Sequence, residues 1–386
     1  MQIVELREAR VLQPRRAEAV NYRLAVSDMQ QMRLPDTRLC AAQTDSIVLS
    51  TEDSMRFSTK SLLLLSVCAL LLLASCAGEH SPDEKYYLVS VNIKVPYWQT
   101  ANAGLMRAAN DMHVQAEMVG PDGYDPKAEQ EEFRRIAKLK PSGILVSTAD
   151  ANLMAADIDA AVDAGIPVIT MDSDAPLSKR LTFIGTNNYA AGQMGGRLAA
   201  KLLQGKGSVV VLTMPGQANL DERLHGYEAA FQEQPGIKIV DVVDIKGKPQ
   251  TAFDSAAAIL DKEPKKVDAF VCLEAIAGKE VAEVVNRANM HDKLIVAMDT
   301  DQGTLEWVQK GVIAATVAQK PFTMAFTGVK MLDDLHHHPL SRLGANWAED
   351  PFARIPRSLD TGVTIIDKNS VDLFMKARDT ETSGKS

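Results

Sequence analysis

The stretch GILVSTADANLMAADIDAAVDAGIPVITMD (residues 143–172) carries two short apolar runs on either side of a longer helical segment. Both apolar runs are continuous rather than alternating, which is typical of strands in a parallel sheet that is covered on both faces. Gly165 stands just past the helical segment, where a C-terminal stop is expected. The stretch therefore predicts a β-α-β unit with a parallel sheet and a right-handed crossover.

The same alternation extends outward through most of the chain. A strand at residues 87–93 and a helix at 98–113 precede the stretch, and a strand at 181–185 follows it. The pattern then restarts, with strands predicted at residues 208–212, 237–240, 269–273 and 294–298. Two consecutive units of this kind predict an α/β fold with two doubly wound parallel-sheet lobes, each with its own core.

The N-terminal part of the chain has the features of an export signal. MRFSTK (residues 55–60) carries two positive charges, and the apolar run at residues 62–74 is too short to span a bilayer. Leu73-Ala74-Ser75-Cys76 resembles the bacterial lipobox, whose cysteine is lipidated and becomes the first residue. We expect residues 55–75 to be a lipoprotein signal peptide and Cys76 to anchor the protein to a membrane, in the periplasm or at the cell surface. The alternative is a buried helix preceded by two cations.

Residues 1–54 show no clear helical or strand period, and we interpret them as an over-extended gene start rather than a cytoplasmic extension. Cys40 and Cys68 then lie in removed segments and Cys76 is lipidated, so Cys272 alone remains and no disulfide is expected. Cys272 stands in an apolar run and is interpreted as a core residue. The net charge of −8, without a Lys/Arg-rich run, argues against a nucleic-acid partner.

Polar and aromatic side chains follow the predicted strands where each strand ends. Ligands of such sheets bind outside the carboxyl ends of the strands, so these side chains are expected to converge. Carboxylates that accept hydrogen bonds from hydroxyls, beside aromatic rings, suit a polyhydroxylated ligand. For any one residue the alternative is a helix N-cap. The candidates from the strand ends are Lys94, Tyr97, Trp98, Ser147, Asp172, Asn187, Glu274 and Asp299.

Other chemistries have weaker support in the sequence. No Gly-x-Gly-x-x-Gly motif follows a strand and no phosphate loop is present, so no cofactor is expected. The run at His336, His337 and His338 is interpreted as a solvated helix end rather than a metal site, because adjacent helical residues point in different directions. The main enzymatic alternative is a glycosidase that uses Asp172, Glu274 and Asp299 as acid and base.

Five motifs together resemble those of a known family. From about residue 86 to the C-terminus, the chain is similar to periplasmic sugar-binding proteins of the ribose and galactose type, the type I periplasmic binding proteins. The motifs are VPYW (residues 95–98) with Gly104, GIPVITMD (165–172), IGTNN (184–188) with Ala191-Gly192, RLHGY (223–227) and AATVAQ (314–319).

The resemblance implies a role for six residues. Tyr97 and Trp98 match the family's aromatic pair that stacks on the sugar ring. Asp172 matches an aspartate that binds hydroxyls, and Arg223 matches an arginine that reaches the ring. Asp299 matches the acid of the second lobe, and Gln319 matches its hinge-side amide.

Three departures from the ribose binders argue against ribose itself, while a pentose, hexose or deoxysugar stays expected. Ser173 stands where those binders have arginine, and Glu274 stands where they have asparagine. They also have an asparagine near the position of Lys94. Lys94 and Glu274 are expected on opposite lobes, where they would pair across the cleft or bind an ionic substituent.

The resemblance also implies the domain boundaries. Residues 76–85 would be a tether, residues 86–186 and 320–360 the N-lobe, residues 187–319 and 361–376 the C-lobe, and residues 377–386 a polar tail. Hinge strands would lie near residues 186–187, near 319–320 and before 361–362. Residues 340–357 match the family poorly.

The implied mechanism is hinge closure on a sugar, after which the closed form docks on an ABC-type permease. The protein would then be a binding protein, expected as a monomer, and not an enzyme. An alternative partner is a membrane histidine kinase that senses the closed form. A repressor with the same core fold is disfavoured, because residues 1–54 lack a helix-turn-helix and an export signal follows them.

Overall fold

The computed structural model describes residues 80–340 and 352–382, with side chains up to residue 378. Residues 1–54, the predicted signal peptide, Cys76 and the first part of the tether lie outside the described residues. Residues 77–386 form one compact unit that holds all the described helices and strands. None of the described helices has both the length and the apolar character needed to cross a membrane.

The first lobe is built on a six-stranded sheet in which all the paired strands are parallel. One face packs against the helices Pro96–Met112 and Pro321–His337 around Trp98, Leu105 and Met324, and the other face packs against the helices Pro126–Lys138 and Ala151–Asp163 around Phe133 and Ile158. The sheet is therefore covered on both sides. In the order β11-β5-β4-β3-β1-β2, its strands are β1 Lys85–Val89, β2 Gln115–Val119, β3 Gly143–Val146, β4 Val168–Met171, β5 Phe183–Gly185 and β11 Ser358–Asp360. Its helices are α1 Pro96–Met112, α2 Pro126–Lys138, α3 Ala151–Asp163 and α9 Pro321–His337.

The second lobe repeats the plan around its own hydrophobic core. Its sheet has the order β12-β10-β9-β8-β6-β7, and β12 runs antiparallel to β10. Its strands are β6 Lys206–Thr213, β7 Gly236–Asp244, β8 Ala269–Cys272, β9 Leu294–Met298, β10 Ala315–Ala318 and β12 Thr364–Asp367. Its helices are α4 Asn188–Leu202, α5 Ala218–Gln232, α6 Pro249–Lys262, α7 Ala277–Arg287, α8 Gln302–Lys310 and α10 Val371–Thr382, with a short 3₁₀ turn at Pro264–Lys266.

The predicted α/β fold with two lobes is confirmed. Gly165 ends α3 with a φ of 86°, as a helix stop should. Cys272 is buried in β8, in agreement with its interpretation as a core residue. Helix α10 extends to Thr382 and so includes part of the range predicted as a polar tail.

The chain passes between the lobes three times, at residues 186–187, 319–320 and 361–363. The first crossing and the strand that leads into it are hydrogen-bonded to each of the other two crossings. Thr361 donates its backbone N–H to Gly185 O at 2.8 Å, and Thr186 donates Oγ1–H to Gln319 Oε1 at 2.8 Å. Gly362 has a φ of 72°, a left-handed conformation that glycine adopts without strain. The lobes are thus joined at one narrow set of linked strands.

Helix α1 is held close to α9 at Gly104. A Cβ atom at this position would lie 2.1 Å from the backbone oxygen of Phe322, so no larger residue fits. This close approach fixes the start of α1, where Tyr97 and Trp98 stand.

Candidate ligand-binding site

A cavity of about 60 Å³ lies between the two lobes at the carboxyl ends of their strands. On the same measure of volume a single water molecule needs about 10–15 Å³, so the cavity has room for a small solute and not for a polymer. Residues from both lobes line it. The polar and aromatic side chains among them are Asn92, Tyr97, Trp98, Tyr124, Asp172, Gln217, Asn219, Arg223, Glu274, Asp299 and Gln319.

Most of the residues predicted to bind ligand line this cavity. They are Tyr97, Trp98, Asp172, Arg223, Glu274, Asp299 and Gln319.

The other three predicted residues lie elsewhere. Lys94 is exposed, with its Nζ 3.5 Å from the Asp122 carboxylate, so it pairs with its own lobe and not with Glu274. Ser147 is buried beneath Asp172, and its hydroxyl donates to Asp172 Oδ2 at 3.4 Å. Asn187 caps helix α4 by accepting from the Ala190 N–H at 3.0 Å, which is the helix-cap alternative for a polar residue after a strand.

Asp172 and Asp299 occupy equivalent positions in the two lobes. Each directly follows a central strand, within the repeated patterns MDSD (171–174) and MDTD (298–301). Each also has a φ of 67°, which is uncommon for a residue other than glycine. Such backbone conformations persist where the surroundings hold them, and they occur often at functional sites. Both aspartates line the cavity, one from each lobe.

Hydrogen bonds to Asp172 come from both lobes. Tyr97 donates its hydroxyl to Oδ1 at 2.6 Å, and the amide of Asn219, on α5, donates to Oδ2 at 3.4 Å. Burial raises the pKa of the Asp172 carboxyl, although the Tyr97 hydrogen bond and Arg223 oppose this. Burial, followed by the nearby charge of Asp172, raises the pKa of Tyr97 well above its ordinary value, so Tyr97 acts as a hydrogen-bond donor.

Arg223 is the one cation among the described residues that line the cavity. Its guanidinium donates to the backbone oxygen of Leu273, to Asn188 Oδ1 at 2.6 Å and to Gln319 Oε1 at 3.4 Å. Gln319 in turn donates to Asp299 Oδ1 at 3.1 Å. One network thus connects α5, the second crossing and the aspartate of the second lobe.

Carboxylates outnumber cations in this cavity. Burial raises the pKa of Glu274 to about 7 and that of Asp299 also to about 7, while Arg223 opposes both shifts. Desolvation disfavours the charged form of a carboxylate, and a single arginine cannot offset it for three of them. The cavity is therefore rich in carboxyl oxygens, and burial favours the protonated form of the groups that supply them.

Two further acceptors were missed in the sequence. Gln217 Oε1 and Asn219 Oδ1 are buried without a hydrogen-bond partner among the described residues. Both follow the carboxyl end of β6, the position at which ligand-binding residues of such sheets are expected.

Trp98 contributes to the core as well as to the cavity. It is 3% exposed and belongs to the hydrophobic cluster of the first lobe. Its ring meets that of Tyr97 edge to face, with centroids 5.2 Å apart. The aromatic pair is thus anchored in the core on one side and faces the cavity on the other.

Comparisons with known proteins agree with this geometry. The family model described as periplasmic binding protein domain matches residues 86–337. The chain is 23% identical over 261 residues to the D-allose-binding periplasmic protein of Escherichia coli K12, an alignment that covers 65% of this chain and 84% of that protein. A sugar ABC transporter (sugar-binding protein) from Bacillus halodurans has a similar structure, with a TM-score of 0.67 and 32% identity over 76% of this chain and 100% of that one. AraP, an arabinose-binding protein from Geobacillus stearothermophilus, has a TM-score of 0.65 and 34% identity over 76% and 99% of the two chains.

Proposed function

Because this chain belongs to the periplasmic binding protein family, we propose that it is an extracytoplasmic receptor that captures one monosaccharide between its lobes and presents it to an ABC-type importer. A pentose, a hexose or a deoxysugar fits the proposal. The relatives described above are named for allose, for arabinose and for sugar in general.

The observation that carries the proposal is a small cavity lined by acceptors from both lobes. Sugar hydroxyls donate readily to carboxylates, and Asp172 and Asp299 face the cavity from opposite sides. The buried side-chain oxygens of Gln217 and Asn219 have no hydrogen-bond partner among the described residues, and sugar hydroxyls would supply the missing donors. The rings of Tyr97 and Trp98 offer an apolar surface for the C–H face of a sugar.

Closure would follow from contacts made by both lobes. A ligand shifts an open–closed equilibrium only by its differential affinity for the two states. Contacts that span the lobes exist only when the lobes are closed, so the sugar favours that form. Gln319 stands at the second crossing and bonds to both Asp299 and Thr186, which links the ligand site to the hinge.

The carboxylates of the cavity are better placed for binding than for catalysis. Both oxygens of Asp172 already accept hydrogen bonds from protein side chains, and Gln319 donates to both oxygens of Asp299. We propose that they position hydroxyls and that no glycosidic bond is broken. Incubation of the protein with a chromogenic glycoside should accordingly release no chromophore, whether or not the glycoside binds.

A thermal-shift screen of residues 77–386 against pentoses, hexoses, deoxysugars and polyols tests the function. A specific sugar present at 100 times its dissociation constant should stabilise the protein by about 2.7 kcal/mol. Asp172→Ala serves as the control and should lose the shift while the ligand-free protein still unfolds cooperatively. A shift with amino acids or another solute class, and with no sugar, would contradict the assignment.

We further propose that the protein is anchored to a membrane through a lipid on Cys76. The lipobox-like order at residues 73–76 supports this. Mass spectrometry of the native protein should find lipidated Cys76 as the first residue. Cys76→Ser should leave the protein out of the membrane fraction, and any native peptide from residues 1–54 would contradict the interpretation of that segment.

A further inference from the structure

A second cluster of ligating side chains lies in the first lobe, apart from the cavity. His80 and Glu84 belong to the segment that leads into β1, and Asp333 and His337 lie one turn apart near the end of α9. None of the four lines the sugar cavity. All four side chains are partly shielded from solvent, with exposures between 11% and 26%.

The ligand atoms of His80, Asp333 and His337 converge on one small region, and Glu84 contacts His337 at its edge. His80 Nε2 lies 2.8 Å from Asp333 Oδ2, His337 Nε2 lies 3.1 Å from Glu84 Oε2, and His337 Nε2 lies 3.7 Å from Asp333 Oδ1. The atoms of His80, Asp333 and His337 are all within 4.8 Å of one another. In a tetrahedral zinc site with bonds of 2.0–2.1 Å, ligand atoms are separated by about 3.3 Å. The observed spacings bracket this value, so small side-chain rotations would suffice.

We propose that His80, Asp333 and His337, with Glu84 beside His337, form a binding site for a divalent transition-metal ion of the zinc type. Imidazole nitrogens together with carboxylate oxygens suit zinc, whereas calcium and magnesium prefer oxygen ligands alone. Asp333 and His337 stand four residues apart on one helix face, so a single ion is within reach of both.

The surroundings of Asp333 support a metal site. Tyr86 donates its hydroxyl to Asp333 Oδ1 at 2.9 Å, the kind of outer contact that orients a ligating carboxylate. In the part of the chain that the structure describes, the ion pairs of Glu84 and Asp333 involve histidines and no lysine or arginine. Two shielded carboxylates therefore face two imidazoles without a permanent cation among them.

The histidine run contributes one ligand and not three. His338, the first residue past the end of α9, lies 3.5 Å from Asp334 and is 65% exposed, so it points away from the cluster. The second imidazole instead comes from His80, 257 positions before His337 in the numbering. A bound ion would fasten the segment after the predicted anchor, Cys76, to helix α9.

Titration of tag-free residues 77–386 with zinc chloride by calorimetry tests the site. We expect one equivalent to bind, and we expect His80→Ala and His337→Ala each to weaken binding at least a hundredfold. His338→Ala, at the residue just past the end of the same helix, is the matched control and should bind zinc as the wild type does. Cobalt in place of zinc should give the visible absorption of a tetrahedral site, and the two ligand variants should lose it.

Three results would overturn the site: no stoichiometric zinc binding by the wild type, equal weakening in His338→Ala and His337→Ala, or undiminished binding in His80→Ala. Circular dichroism of each variant establishes that it is folded. The sugar-dependent thermal shift of the same variants should be unchanged, so failure of the metal site can be distinguished from failure of the sugar assignment.

Discussion

Replacing Arg223 by methionine should weaken sugar binding by about a thousandfold or more and lower the free energy of unfolding by about 3–5 kcal/mol. The guanidinium is buried and holds Leu273, Asn188 and Gln319 together through hydrogen bonds. It also opposes the rise in the pKa of Asp172, Glu274 and Asp299. Without it these carboxyls would retain more protons and accept fewer hydrogen bonds from hydroxyls. Calorimetric titration with the sugar and urea unfolding measure the two effects.

A second buried arginine provides the matched control. Arg180 is 3% exposed and pairs with Asp174 at 2.6 Å, outside the cavity. Arg180→Met should destabilise the protein to a similar extent yet leave the affinity of the folded fraction unchanged. Arg223→Lys should recover the charge but not the forked geometry, and so restore only part of the affinity. Wild-type affinity in Arg223→Met would show that the ligand does not depend on this network.

Replacing Trp98 by alanine should also lower both the stability of the protein and its affinity for the sugar. Truncation of a buried tryptophan costs about 3–5 kcal/mol of stability, because a large cavity is left in the core. Removal of the ring surface from the ligand cavity should weaken sugar binding by about a hundredfold or more. The sequence alone predicts only the loss of sugar affinity, because an aromatic residue in the cleft is expected to contact the ligand and not to pack in the core. The position of Trp98 in the hydrophobic cluster adds the loss of stability.

Two variants separate the roles of Trp98. Trp98→Phe should keep much of the stability and part of the affinity, because a smaller ring still fills the site. Trp307→Ala, on α8 in the second lobe and outside the cavity, should leave the affinity unchanged. Affinity is measured well below the unfolding transition, so that the unfolded fraction does not contribute. An unaltered sugar affinity in folded Trp98→Ala would remove the ring from the site.

The sequence predicts several of the strands that are buried on both faces. Strands β3, β4, β8 and β9 are continuous apolar runs, and the runs at residues 269–273 and 294–298 predict β8 and β9 to within a residue at either end. Strand β2 was missed because it lies at the sheet edge and alternates exposed and shielded residues. Its polar positions at Gln115 and Glu117 remove the continuous apolar pattern that marks a central strand.

The sequence predicts those site residues whose position follows from the end of a strand. It predicts less well the residues whose place in the cavity depends on the direction of the side chain. Asp172, Glu274 and Asp299 follow strands and line the cavity. Arg223, which projects from a helix, came only from the family resemblance. Asn187 and Asn188 are adjacent, yet the first caps a helix and the second accepts from Arg223. Which neighbour faces inward depends on tertiary packing, which a single sequence does not display.

The three crossings also determine the order in which the molecule can be completed during its synthesis. Strand β11 at the edge of the first sheet and strand β12 at the edge of the second both come from residues 358–367, and helix α9 comes from residues 321–337. A nascent chain that ends before these residues leaves β5 and β10 as unpaired edges, open to association with other chains. Pairing between such distant residues also slows folding, because long loops must close first. Neither lobe is a continuous piece of chain, so neither can be finished until the last segment is available.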